Sequence, residues 1–254
     1  MMNHAGRASR WPAWLDLTQS STGLVLALFM WGHMAFVSSI LISHDAFWVV
    51  AKFFEGYFFL GYGIPQVVSL VVLAIWLLVI VHAALAMRKF PANWAQYRTV
   101  WQHSKLLKHE DTWLWLVQLV TGFGLFFLAS IHLYDMFVEP ELIDPYGSSD
   151  LVWSGRRWPM LALLLICVEI HGSVGLYRLA LKWGWPSFGS PERTRKILKK
   201  IMWFLIVFLI GVGLITLSTF MRIGYDHAPN RGELYTPSFI QHDVDGNKDG
   251  GHAQ

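Results

Sequence analysis

Four histidines, His33, His82, His132 and His171, fall in four different long apolar stretches of the chain. An imidazole in hydrocarbon is costly, so it faces a partner, a cavity or a cofactor. Four of them on four stretches point to two axial pairs, and so to two haems. For any one of them taken alone, an interhelical hydrogen bond is the competing explanation. Cysteine chemistry narrows the options further. The only cysteine is Cys167, within an apolar stretch, and no C-x-x-C-H occurs. This excludes an intramolecular disulfide, a cysteine-rich zinc site and an iron–sulfur cluster held by this chain alone. Any haem must be held without thioether links, as in b-type cytochromes.

The elements that position these rings are set by composition. Of 254 residues, 54% are hydrophobic, with 14 Trp and 17 Phe, which describes a polytopic membrane protein. Windows of about 20 residues mark five spans, at 20–43, 65–87, 113–137, 158–181 and 200–221. Lipid offers no partner to unpaired backbone groups, so the predicted fold is all-α, a bundle of five transmembrane helices. The first span starts late and lacks a small-residue cleavage site, so it reads as a retained helix. Residues 45–60, DAFWVVAKFFEGYFFL, are too polar at Lys52 and Glu55 for a sixth span. They read as an additional helix at the outer interface or packed on the bundle, with an aromatic belt carrying two solvated charges as the alternative. The chain reads as one transmembrane domain over 1–254 with no strong internal repeat, and 223–254 as a flexible outer tail.

Loop charges orient the bundle. Arg88, Lys89, Arg98, Lys105 and Lys108 lie between spans two and three, and Lys182, Arg193, Arg195, Lys196, Lys199 and Lys200 between spans four and five. The loop between spans three and four carries Asp135, Glu139, Glu141, Asp144 and Asp150 instead. The positive-inside rule places the amino terminus in the cytoplasm and the carboxyl terminus outside. The net charge of +3 is an orientation signal and no argument for nucleic acid.

Depth then sorts the histidines. At 1.5 Å per residue, His82 and His171 lie roughly 10 and 16 Å from the inner ends of their helices, and His33 and His132 roughly 20 and 29 Å. His82 pairs with His171 at an inner haem, and His33 with His132 at an outer one. Arg178 and Lys182 follow His171 by close to two and three turns, on its face, where they suit haem propionates or snorkel to headgroups. Gln19 and Ser20 occupy the inner end of the first span. Glu169 is the only acid deep within a span and lies about 200° around the helix from His171. It is a proton-path candidate, with a protonated structural acid as the alternative. Glu55, near the outer surface, is placed to take a proton from a lipid-soluble quinol.

The segments LDLTQSSTGLVLALFMWGHM, VHAALAMRKFP, TGFGLFFLASIHLY and EIHGSVGLYRLALKWGW closely resemble the dihaem cytochrome b subunit of quinol:fumarate reductases of the menaquinol-using type. The likeness runs from about residue 15 to 222 in one order. It implies two haem b groups, with His82 and His171 on the haem nearer an iron–sulfur subunit and His33 and His132 on the distal one. It implies Gln19, Ser20, Trp115 and Lys182 as propionate contacts, Glu55 as the quinol-oxidising acid in a looser AKFFEG match, and Glu169 as the proton-conducting acid. It implies partners, namely a flavoprotein subunit, an iron–sulfur subunit, menaquinone and the lipid bilayer, and a dimer of such heterotrimers in the bacterial cytoplasmic membrane. Succinate oxidation with menaquinone reduction uses the same architecture. A cytochrome b anchor of a hydrogenase or formate dehydrogenase, and a haem-free channel or transporter, are the other classes that the residues alone leave open.

Overall fold

Every backbone donor and acceptor within a lipid-embedded segment must be satisfied inside that segment or by its neighbours, which for an apolar chain of this length means helices. A computed structural model of the chain describes residues 9–90, 93–107 and 110–240. Among these residues it contains helices and turns and no strand. The helices are α1 (Trp11–Val37), α2 (His44–Phe54), α3 (Tyr57–Leu60), α4 (Pro65–Met87), α5 (Trp94–Leu107), α6 (Glu110–Val138), α7 (Pro145–Val152), α8 (Trp158–Trp183) and α9 (Pro191–His227). Five are long and apolar enough to cross a membrane: α1 with its 3₁₀ extension, α4, α6, α8 and α9 with its extension. The five spans expected from the sequence are therefore present, as an all-α membrane bundle.

The helices outrun the apolar windows where polar residues find partners. The 37-residue α9 starts at Pro191, with the Ser190 hydroxyl capping the Arg193 N–H at 3.3 Å. Its first turns carry Arg195 and Lys199, which pair with Asp111 and Glu110 at the start of α6, each at 2.6 Å. Much of the basic charge assigned to a loop is thus helix end, tied across the bundle. The connection between spans two and three holds α5, a helix too polar for a hydropathy window to find. Lys108 lies outside the described residues.

Residues 45–60 form α2 and α3, broken at Glu55–Gly56, where Gly56 takes φ +80°. α2 packs on the bundle through buried Phe47, Trp48 and Ala51. Phe47 joins Ile40, Val152 and Phe220 in one buried cluster, while Leu114, Val174, Tyr177, Leu198, Met202 and Ile206 form a second between α6, α8 and α9. The centre of the four helices α1, α4, α6 and α8 is instead left open.

The segment expected as a flexible tail divides differently. Residues 223–227 continue α9, 228–230 form a 3₁₀ turn, and 231–240 lie as a strap over α2 and α7. The Gly232 N–H donates to Asp150 at 2.9 Å and the Tyr235 N–H to Asp144 at 2.7 Å. The Tyr235 hydroxyl and the Ser238 N–H donate to Asp45 at 2.8 and 3.0 Å. The hydrogen bonds from Ser238 and Tyr235 hold the Asp45 carboxyl below its usual range, whereas burial pushes Asp144 up. Composition marks this stretch as polar but does not show that three acids of other elements accept its N–H groups. Residues 241–254 lie outside the described residues.

α9 meets α7 closely because Gly224 has no side chain. A Cβ there would collide with the Ser149 carbonyl and lie 2.7 Å from the Trp153 Cβ. Gly224→Ala is expected to destabilise the bundle by about 1–3 kcal/mol through overpacking. Gly211→Ala, in open space on the same helix, is expected to stabilise it by roughly 0.5–1 kcal/mol. Thermal unfolding of the two variants in detergent is the check.

Candidate functional site

The open centre is a cavity of about 1340 Å³ that runs most of the length of the bundle. Single-ligand pockets span about 300–1,000 Å³, so the space exceeds one such site. All four intramembrane histidines line it. Lys89, Arg178 and Lys182 line its basic end and Glu55 its acidic end.

The histidines meet in the pairs that depth ranking put together. The His82 and His171 rings face each other with centroids 6.4 Å apart, and the His33 and His132 rings at 6.0 Å. Two metal–imidazole bonds of about 2 Å, plus the half-widths of two rings, span about 6 Å. Both pairs therefore have the separation that a shared iron requires. Among the described residues no group of three or more His, Cys, Asp or Glu is placed to hold a metal ion.

Second contacts fix the rings of the basic-end pair. His171 Nδ1 lies 2.9 Å from the Gln118 carbonyl and His82 Nδ1 3.2 Å from the Gln19 carbonyl. A ring whose Nδ1–H donates to a carbonyl keeps its Nε2 lone pair for a metal. Each ring also lies against a glycine: a Cβ on Gly23 would sit 2.8 Å from His82 Cε1, and one on Gly122 2.7 Å from His171 Cε1. Gln19 Oε1 is buried without a hydrogen-bond partner, an acceptor site that a ligand group can satisfy. These features fit a haem between His82 and His171.

The matching roles expose a repeat that hydropathy conceals. Trp14-Leu15-x-Leu17-x-Gln19-x-x-Thr22-Gly23 in α1 recurs as Trp113-Leu114-x-Leu116-x-Gln118-x-x-Thr121-Gly122 in α6. A histidine follows each glycine by ten residues, 23 to 33 and 122 to 132. The expectation of no strong internal repeat is therefore corrected. α1 with α4 and α6 with α8 are matching halves; an alignment of the chain with itself at an offset of 99 residues, 14 to 113, would have found α1 against α6, while His82 and His171 correspond at an offset of 89.

The other expected site residues fall into three places. Gln19, Ser20, Trp115, Arg178 and Lys182 gather at the basic end of the cavity. Lys182 donates to Ser20 at 2.8 Å and to Asp16 at 2.5 Å, and Arg178 to the Gln118 side chain at 2.5 Å. Asp16 and Gln118 were not singled out from the sequence, where each reads as an ordinary polar residue near a helix end. Glu55 is 1% exposed and reaches the cavity from the C-terminus of α2. Lys52 holds it through both carboxylate oxygens, at 2.7 and 2.8 Å, and its Oε2 occupies space that a Cβ on Gly63 would fill. Glu169 does not line the cavity. It is fully buried, and neither of its oxygens finds a hydrogen-bond partner among the described residues. One turn on, Ser173 Oγ is also buried and unpartnered, and one turn further Tyr177 donates to Asp111 at 3.0 Å. α8 thus turns a polar row away from the cavity, toward α9.

A long-helix bundle with paired histidines around an apolar, end-charged cavity defines an all-α membrane protein with a histidine-lined interior. In agreement, the family described as succinate dehydrogenase/fumarate reductase transmembrane subunit matches residues 94–214. The fumarate reductase cytochrome b subunit of Helicobacter pylori (strain ATCC 700392 / 26695) is 50% identical over 216 residues, covering 85% of this chain and 83% of the relative. That of Wolinella succinogenes is 48% identical over 226 residues, 88% of each chain. The chain belongs to the family of fumarate reductase cytochrome b subunits.

Gly122→Ala is expected to push the His171 ring out of line with His82, because the displaced atom is in the ring itself and not at the end of a flexible chain. The change should appear in the haem absorbance of the purified chain, while Gly211→Ala leaves that spectrum as it is.

Proposed function

We propose that the chain is the dihaem, quinol-oxidising membrane anchor of a fumarate reductase complex. The observation that carries this reading is the pair of facing histidine couples in one cavity of a cytochrome b relative. His82 and His171 hold one haem b and His33 and His132 the other. Gln19, Ser20, Trp115, Arg178 and Lys182 bind the propionates of the first, whose two negative charges suit the cations gathered there. When bound, the haems supply a one-electron relay along the bundle axis.

The remaining steps belong to side chains. Menaquinol docks at the acidic end, where Glu55 accepts a proton as the quinol loses two electrons and two protons in all. Lys52 holds the carboxylate through both oxygens where it lines the cavity. The electrons leave at the basic end to an iron–sulfur subunit, and a flavoprotein subunit uses them with two protons to convert fumarate to succinate. The amino terminus and the basic end face the cytoplasm of a bacterial inner membrane, and two such three-subunit units associate.

Electrons moving inward while protons are released outward work against the membrane field at about 2.3 kcal/mol per charge per 100 mV. Glu169 offsets this by carrying protons inward. Its burial, its two unpartnered oxygens and the Ser173–Tyr177 row beyond it support that role.

Glu55→Gln is expected to abolish quinol-driven fumarate reduction while the complex retains two haems per chain by pyridine haemochrome and reduces fumarate with a soluble donor. Full quinol activity in this variant would move the quinol site elsewhere. Glu169→Gln is expected to keep both haems, lose most quinol turnover, and make the residual turnover electrogenic in proteoliposomes. Normal, electroneutral turnover would reduce Glu169 to a structural acid.

A further inference from the structure

The two halves of the bundle match beyond the histidines. Lys89 follows His82 by seven residues, and Arg178 follows His171 by seven, 82 to 89 and 171 to 178. Within α8 seven residues are close to two turns, so Arg178 lies on the face of His171, nearer the basic end, whereas Lys89 stands two residues past the end of α4. Both line the cavity.

Their partners break the symmetry. Lys89 donates to Asp16 at 2.5 Å, a full counter-charge that Lys182 shares from the other side. Arg178 donates to Gln118 Oε1, a neutral amide. Asp111, the acid within electrostatic reach of Arg178, is already engaged by Arg195, Lys199 and Tyr177. Arg178 is therefore fixed by a dipole, which leaves its charge for the propionates assigned to it above. Gln118 is the hub of the arrangement: its carbonyl receives His171 and its side chain receives Arg178.

We infer that the Gln118–Arg178 pair sets the reduction potential of the haem held between His82 and His171, raising it relative to the haem between His33 and His132. Reduction adds one negative charge at the iron. A fixed cation nearby, in a medium of low dielectric, favours that state, and the amide adds no charge where a carboxylate would add a further negative one beside the propionates. At the other haem the cavity wall carries Glu55, an acid whose charge Lys52 matches, and among the described lining residues no cation. Electrons entering at the acidic end then run toward the more easily reduced site. This inference rests on the haem assignment proposed above.

The test is spectroelectrochemical titration of the intact complex. Gln118→Glu preserves the shape of the side chain and neutralises Arg178. It is expected to make reduction of one haem about tenfold less favourable, a fall of about 59 mV for one electron, with the other haem nearly unmoved. Arg178→Gln should shift the same haem in the same direction, whereas Arg178→Lys, which keeps the charge, should stay close to the parent. If Gln118→Glu loses a haem, the contrast between Arg178→Gln and Arg178→Lys decides the matter. Two transitions that stay in place in all variants, or that shift together, would overturn the inference while leaving the haem assignment standing. A parent complex with fewer than two transitions would instead overturn the assignment.

Discussion

The arrangement depends on an imidazole reaching the backbone of a neighbouring membrane helix. A helical carbonyl is already the acceptor of the N–H four residues on, and the side chain at that position shields it. Gln19 and Gln118 expose their carbonyls because the residues four later are Gly23 and Gly122. His82 and His171 enter those gaps and donate to those oxygens. A buried polar ring is thereby satisfied on one side and left with a free lone pair on the other. The glycines contribute by close approach, and their helical φ values need no special freedom.

Charge follows the same economy of partners. Lipid tolerates few ionisable groups, and apart from the buried Glu169 those described above are paired or placed at the ends of the cavity. Asp16 serves two lysines, Lys52 holds Glu55, and Asp111 with Glu110 ties α6 to the long amino-terminal extension of α9. The bundle is thus knit by ion pairs at the basic end and by acid-to-N–H hydrogen bonds from the strap at the other. Between them the four central helices need not pack tightly against one another, which leaves room for flat macrocycles.

Much of this was legible in the residues. Apolar length marks the five spans, because a bilayer imposes it directly, and depth sorts His33, His82, His132 and His171 into the couples that face each other. Helix ends were less legible. Trp11 and Pro191 begin helices well before the apolar windows because tryptophan and basic residues suit the interface and so escape a hydropathy measure. α5 and the 231–240 strap were missed for a related reason. Their order comes from amphipathic placement and from Asp45, Asp144 and Asp150, partners far away in sequence. The repeat between α1 and α6 was present in the letters but is masked by the apolar background that every span shares.

One helix, α8, presents His171 to the cavity and Glu169 to the opposite side, two residues away along the same rigid rod. Neither can be reoriented alone without a change of rotamer. A small rotation of α8 about its own axis that carries His171 sideways past His82 must swing Glu169 the other way against α9. The two faces are therefore geometrically linked, and Leu165 of α8 lies in the space that a side chain on Gly213 of α9 would fill.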